Sequence, residues 1–228
     1  MFTVTWGVET DTDDAEGRPI QATNQAPEAS AIEAQLANFT GTIEQVPPRF
    51  SAIKIAGERA YDLAREGEVV ELKSRIVQVD RLQLVHHDGD RSVFEADCGK
   101  GTYVRSLARD LGRALGCLGH ISALRRTRVG PFTEADSVTI KTLEEQQGEQ
   151  PDPSAVLQPV SAALCDIPSI AVSRDAAGRL FRGQSVILRG RDAPLEGRIY
   201  ATLNGVLVAV GDVEAGELVP HRVFNLGA

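Results

Sequence analysis

The chain has 228 residues, 42% hydrophobic and 25% charged, with a formal net charge of −8. That is enough chain to bury a core in one main domain with a small companion, and the acidic balance argues against a general nucleic-acid coat while leaving room for a local basic site. No apolar run reaches the length of a membrane-spanning helix, and the widely spaced Cys98, Cys117 and Cys165 form no Cys-x-x-Cys pair, which argues against zinc or a disulfide framework and points to a reducing cytoplasm.

Phe2 to Trp6 alternates as a half-buried strand does. Thr10 to Gly17 reads as a polar, solvated turn. Its string Asp11-Thr12-Asp13-Asp14-Ala15-Glu16-Gly17 fails as a calcium loop, because the ligand pattern breaks at Ala15, the glycine is misplaced and the late bidentate Glu is absent. Ala29 to Phe39 reads as a helix with Ile32, Leu36 and Phe39 on one face. Gly41 to Ala56 reads as irregular, since Pro47-Pro48 forbids a helix through it. Glu58 to Glu66 reads as a short helix closed by Gly67. With Arg49, Lys54, Arg59 and Arg65 nearby, this segment suits either a mobile element that closes on a ligand or an ordinary charged surface loop.

Val77 to His87 and Val93 to Cys98 read as two strands of a hairpin turning at Asp88-Gly89-Asp90. His86 and His87 fall on opposite faces of such a strand, so they mark a turn flank rather than a metal site. Thr102 to Leu115 is the clearest helix. Val104, Leu107, Ala108, Leu111 and Leu115 form its apolar stripe, and Gly116 ends it. Arg105, Arg109 and Arg113 form a ridge along one flank. Arg105 borders the apolar stripe and needs an acidic partner or a phosphate, because a buried unpaired charge is costly.

A second basic group lies in Gly119 to Arg128, read as a solvated loop or a binding segment. Between Gly99 and Phe132 stand Lys100, Arg105, Arg109, Arg113, Arg125, Arg126 and Arg128 against Asp110 alone. Cations for phosphates beside a ring for an unstacked base are what an RNA-handling site needs, and the Asp-rich turn could face the same ligand. Glu144 to Ser154 is a polar, proline-broken linker. Beyond it Ser173 caps a short helix ending at Gly183, and strands follow at Ser185–Leu188, Arg198–Leu203, Val206–Val210 and Val219–Phe224. Asn204-Gly205 is a hairpin turn, and the whole reads as a small β-rich appendage.

Four segments stand in fixed order: Val4-Thr5-Trp6-Gly7-x-x-Thr10-Asp11-Thr12-x-Asp14-x-x-Gly17; Gln45-Val46-Pro47-Pro48-x-Phe50-Ser51-Ala52-Ile53-Lys54; Ala60-Tyr61-x-x-Ala64-Arg65-x-Gly67; and Gly101-Thr102-Tyr103-Val104-Arg105. In this order, from Phe2 to Leu143, the chain resembles the TruB family of tRNA pseudouridine synthases, which act on uridine 55 of the T-arm. The resemblance implies an α+β fold: the mixed, mostly antiparallel sheet of the pseudouridine synthase fold, incomplete at its N-terminus, with a small β-rich C-terminal domain. The C-terminal portion of the catalytic domain would span 1–145 with a thumb-like insertion at about 48–76, followed by a linker 146–157 and the C-terminal domain 158–228. The implied partner is the T-arm stem-loop of tRNA, met by a cytoplasmic enzyme that is a monomer in its full-length form and uses no metal, organic cofactor or membrane.

By the same resemblance Tyr103 would contact the flipped base and serve the proton step, and Arg105 would hold the nucleophilic aspartate ionised. Leu124 would pack on the base, while Lys100, Arg125, Arg126 and Lys54 would bind the substrate. Without it, Tyr103 and Leu124 read equally well as core residues and Arg105 as half of a structural ion pair. The family's nucleophile lies in a Gly-x-x-Asp-Pro-x-Ala-x-Gly segment that this sequence lacks, so no Asp here is assigned that role. The expectation is a chain inactive by itself, with an exposed sheet edge and a tendency to aggregate. It would be part of a synthase or, alternatively, a non-catalytic tRNA-binding remnant. An unrelated α/β domain with a fortuitous arginine ridge is the third reading.

Overall fold

In a computed structural model, residues 1–55, 58–61, 72–145, 156–188, 190 and 193–226 are described, with backbone alone for 54, 55, 58 and 59. The chain divides by its contacts into Met1–Thr127 and Arg128–Ala228. The division falls after Thr127, earlier than position 145; residues 146–155 of the expected linker lie outside the described residues.

The elements of the first unit are β1 (Phe2–Trp6), β2 (Val8–Thr10), β3 (Pro19–Ala22), α1 (Ala29–Leu36), β4 (Gly41–Gln45), β5 (Lys54–Ile55), β6 (Glu58–Arg59), β7 (Arg75–Asp88), β8 (Arg91–Cys98), α2 (Val104–Ala114) and β9 (Gly119–Leu124). An antiparallel sheet of order β4-β7-β8-β1-β9 carries the core. The alternation in β1 sends Phe2, Val4 and Trp6 inward. Phe94 from β8 is fully buried; its ring stacks on Phe2 at 5.2 Å and meets Trp6 edge-on at 6.2 Å. Burial of a side chain that size contributes about 3 kcal/mol. The indole Nε1–H of Trp6, buried with its ring, donates to Ser92 Oγ at 2.8 Å.

Helix α2 lays Leu107, Ala108 and Leu111 on this sheet. It comes close because Gly112 has no side chain: a Cβ there would stand 2.6 Å from the backbone at Leu118 and Gly119. This close crossing sets the height at which α2 presents its arginine flank.

Three sequence expectations need correction here. Gly41–Gln45, expected to be irregular, is edge strand β4, since Pro47-Pro48 bars a helix but not a strand that ends before it. Gly119–Leu124, expected in a loop, is edge strand β9, paired with β1 and touched on its outer side by the Asp-rich turn, where Ile121 N donates to Asp13 O at 3.1 Å. Its side chains are unremarkable as a strand pattern; the pairing comes from β1. The helix expected at Glu58–Glu66 does not begin before Ala60, because Glu58–Arg59 pair with Lys54–Ile55, and its remainder lies outside the described residues.

The second unit contains β10 (Arg128–Val129), β11 (Phe132–Thr133), α3 (Ile140–Glu145), β12 (Ser169–Ala171), α4 (Arg174–Phe181), β13 (Val186–Ile187), β14 (Gly197–Leu203), β15 (Val206–Glu214) and β16 (Glu217–Val223). Its sheet runs β12-β14-β15-β16-β13 over a core of Leu180, Ile199, Val208, Val213 and Leu218. Ser173 caps α4, its Oγ accepting from Ala176 N at 3.2 Å. Asn204 and Gly205 both take positive φ, 51° and 81°, as a two-residue hairpin with matched twist requires. Strand β12, parallel to β14, was not legible in the sequence: three residues carry too little pattern. No helix among the described residues is long and apolar enough to cross a membrane.

Candidate active site

The site forms where α2 begins. Gly101, at φ +90°, turns the chain into Tyr103, which takes an extended conformation at the helix N-cap with no side-chain cap. The support comes from Gln45, buried at the end of β4. Tyr103 N donates to Gln45 Oε1 at 2.8 Å and Gln45 Nε2 donates to Tyr103 O at 3.1 Å. The carboxamide thus acts as a one-residue strand, pairing with both backbone groups of Tyr103 and fixing the backbone that carries its ring.

The segment after Gln45 is stapled to the same helix. Val46 O accepts from Ser106 Oγ and from Arg109 Nη2, each at 2.8 Å, and Phe50 O accepts from Arg105 Nη2 at 2.9 Å. Pro47 and Pro48 have no N–H to offer, so carbonyls do the binding and helix side chains supply the donors.

On the other side of α2 the arginine ridge meets the Asp-rich turn as a ladder. Arg105 Nη1 donates to Asp14 Oδ2 at 3.0 Å and to Thr12 O at 3.1 Å. Arg109 Nη1 pairs with Asp13 Oδ2 at 3.0 Å, and its Nε with Asp110 Oδ1 at 2.8 Å. Arg113 grips both oxygens of Glu9, which raises its own pKa further. The helical spacing of four residues brings Arg105 and Arg109 to Asp14 and Asp13 of the turn, and Arg113 to Glu9 of β2. Asp13 takes φ +63°, a left-handed conformation that Asp tolerates.

The turn is therefore not simply solvated: Asp13 is 5% exposed. Nor does the whole ridge serve phosphates, since carboxylates of the chain already neutralise these three arginines.

Burial pushes the Asp13 carboxyl up to about 6, with the Glu9 charge adding to the rise and the Arg109 and Arg113 guanidiniums opposing it. The folded pKa lies above the ordinary value of 3.8, so between those two pH values the fold holds a proton that the unfolded chain has released. Lowering the pH through this window stabilises the fold. Relative to Asp13→Asn, the parent chain is expected to gain about 1 kcal/mol between roughly pH 7 and pH 5, measured by urea unfolding at both. Parallel pH profiles for the two proteins would show that Asp13 titrates normally.

Tyr103 and Arg105 open together onto a cavity of about 350 Å³, also lined by Phe50, Ser51, Ala52 and Tyr61. The rings of Phe50 and Tyr61 meet edge-on at 6.0 Å. This volume suits a small planar group, and the walls are largely aromatic. The other expected site residues do not line it. Leu124 ends β9, 57% exposed, too open for a core residue. Arg125 N donates to Met1 O at 2.8 Å, and Lys100, Arg125 and Arg126 are exposed. Lys54 is in β5 and its side chain lies outside the described residues. Among the described residues no cluster of His, Cys, Asp or Glu could hold a metal ion. Burial pushes the Cys117 thiol up to about 11, which keeps it protonated and poorly nucleophilic.

Sequence reasoning missed the clamp by Gln45 and the cavity-lining Phe50, Ser51 and Tyr61. All four stand in the motif segments, but no periodicity marks them.

An antiparallel sheet with a helix that presents a tyrosine and an arginine to one cavity is an α+β architecture. The family model for the TruB family pseudouridylate synthase N-terminal domain matches residues 1–104, and that for the tRNA pseudouridylate synthase B C-terminal domain matches residues 105–165. The chain is 58% identical over 232 residues to the tRNA pseudouridine synthase B of Rhodopseudomonas palustris, covering 99% of this chain and 63% of that protein. It is 50% identical over 246 residues to that of Brucella abortus, covering 99% of this chain and 76% of that protein. The chain belongs to the TruB family.

Among solved structures it resembles the crystal structure of a Cbf5-Nop10-Gar1 complex, with a TM-score of 0.64, 22% identity, and 97% of this chain and 64% of that chain covered. It also resembles a structure of an H/ACA RNP bound to a substrate RNA containing 2′-deoxyuridine, with a TM-score of 0.61, 19% identity, and the same coverage. These likenesses establish the fold.

Proposed function

We propose that this chain supplies the base-binding part of a tRNA pseudouridine synthase that isomerises uridine 55 in the T-arm. The observation that carries the reading is the pairing of Tyr103 and Arg105 at one aromatic cavity, each held from behind by groups already hydrogen-bonded. No enzyme group reaches the glycosidic carbon of a stacked base, so the uridine flips out of the T-loop. The cavity receives it against the Tyr103 ring, and exposed Lys100, Arg125 and Arg126 meet phosphates around it. An aspartate nucleophile then attacks, the N1–C1′ bond breaks, the base turns, and C5 bonds to C1′ as the aspartate is released; the C5 proton is lost in the step that Tyr103 serves, and N1 ends protonated. Arg105 keeps that aspartate ionised and oriented. No residue of this chain is assigned as the nucleophile: Asp13 and Asp14 are both committed to arginines, and neither has the Gly-x-x-Asp-Pro flanks. The setting is the cytoplasm, the full-length form a monomer, and the chemistry free of metal and organic cofactor.

The test compares two proteins on a T-arm stem-loop labelled with tritium at uracil C5. The chain by itself is expected to release no tritium above a protein-free control. This chain, exchanged for the segment it matches in the full-length Rhodopseudomonas palustris relative, is expected to release it. Release by the chain alone would overturn the account of the nucleophile, and failure of the exchanged protein to bind the stem-loop would overturn the choice of substrate.

A further inference from the structure

Ser51 is buried, at 4% exposure, and its hydroxyl has no hydrogen-bond partner among the described residues. It is the one buried side-chain polar atom so placed among them. A hydroxyl taken out of water and left unpaired costs roughly 1–3 kcal/mol, so native structures rarely keep one without a use. Two carbonyls around it are paired: Ser51 O accepts from Tyr61 N at 3.0 Å, and Ile53 O accepts from Ala60 N at 2.7 Å. Packing therefore needs no hydroxyl at this position.

The residue lines the cavity that Tyr103 and Arg105 share. Its neighbours there include two further hydroxyls, the phenols of Tyr61 and Tyr103. Phe50 and Ala52 have apolar side chains. Arg105 already donates to Thr12 O, Asp14 and Phe50 O. A ring entering the cavity would find aromatic walls and, in Ser51, a hydroxyl able to donate or accept.

We infer that Ser51 is a substrate-contacting residue whose hydroxyl hydrogen-bonds the polar edge of the flipped pyrimidine. This rests on the reading of the cavity as a base pocket. A pyrimidine edge carries both N–H and C=O groups, and the bond replaces what the base loses on leaving its loop. Sites that hydrogen-bond a substrate group discriminate against analogues without it more strongly than apolar pockets discriminate by shape.

The experiment measures affinity of this chain and of Ser51→Ala for three T-arm stem-loops, by fluorescence anisotropy. One carries uridine at the target position, one the non-hydrogen-bonding isostere difluorotoluene, and one an abasic site. The parent is expected to bind the uridine RNA about tenfold more tightly than the abasic one, from stacking on the cavity walls. Ser51→Ala is expected to lose about fivefold to tenfold on the uridine RNA and nothing on the other two. Its melting temperature should equal or exceed that of the parent, because the variant removes an unpaired buried hydroxyl; a structural serine would instead make the variant less stable.

A parent that binds uridine and abasic RNA alike overturns the base-pocket reading and the assignment with it. A parent that discriminates while Ser51→Ala discriminates equally overturns the assignment alone, as does a variant with a lowered melting temperature.

Discussion

Under the proposed function, Arg105→Lys in this chain, exchanged for the segment it matches in the full-length Rhodopseudomonas palustris relative, is expected to lower single-turnover pseudouridine formation at saturating RNA by about a hundredfold or more. RNA affinity should fall far less, since one cation is a small part of a polyanion's binding. The guanidinium of Arg105 binds in three directions at once, to Asp14, to Thr12 O and to Phe50 O. A lysine keeps the charge but not the planar fork, so it cannot tie the turn to the Pro47-Pro48 segment while facing a nucleophile. Arg126→Ala is the control: it is expected to weaken binding and flatten the salt dependence with turnover at saturation nearly intact. Near-parental turnover in Arg105→Lys, with loss in Arg126→Ala, would reverse the two roles.

Arg109→Met is expected to be the most destabilising single change in the ladder. The side chains of Arg109 and Asp13 are 9% and 7% exposed, so removing the cation leaves a buried carboxylate without its nearest counter-charge. Such a loss costs about 3–5 kcal/mol. Met fills similar volume, so the cost reflects charge more than a cavity. Two further measurements identify the cause. The penalty should shrink toward pH 5, where Asp13 takes up its proton, and Asp13→Asn/Arg109→Met should be more stable than Arg109→Met alone. Urea unfolding of the four proteins of this cycle, at pH 7 and pH 5, gives both answers. A penalty independent of pH, with additive single changes, would show that Arg109 acts through its contact with Val46 O instead.

These two arginines stand one helical turn apart and do different work. Arg109 is sealed between the turn, the helix and Val46. Arg105, its side chain 26% exposed, lines the cavity. The same ladder that holds the fold delivers one member to the site, and the stability and activity tests separate them.

The sequence alone determined what depends on local pattern. The alternation of Phe2–Trp6, the stripe and arginine flank of α2, the hairpin at Asp88-Gly89-Asp90, the Ser173 cap and the Asn204-Gly205 turn are all set by residue type and spacing over a few positions. Motif order singled out Tyr103 and Arg105, and the fold sets both on one cavity. Tertiary structure decided the rest, because the deciding partners are far apart in the chain. Strand β9 exists because β1 pairs with it, more than a hundred residues away in sequence. The Asp-rich string is not a solvated turn because Arg105 and Arg109 arrive from a helix some ninety positions later. Gln45 reads as an ordinary polar residue ending a strand until Tyr103 is placed against it, and Ser51 as a loop serine until burial strips its hydroxyl of water. A charge or a hydroxyl takes its meaning from what it faces, and only the folded chain sets that.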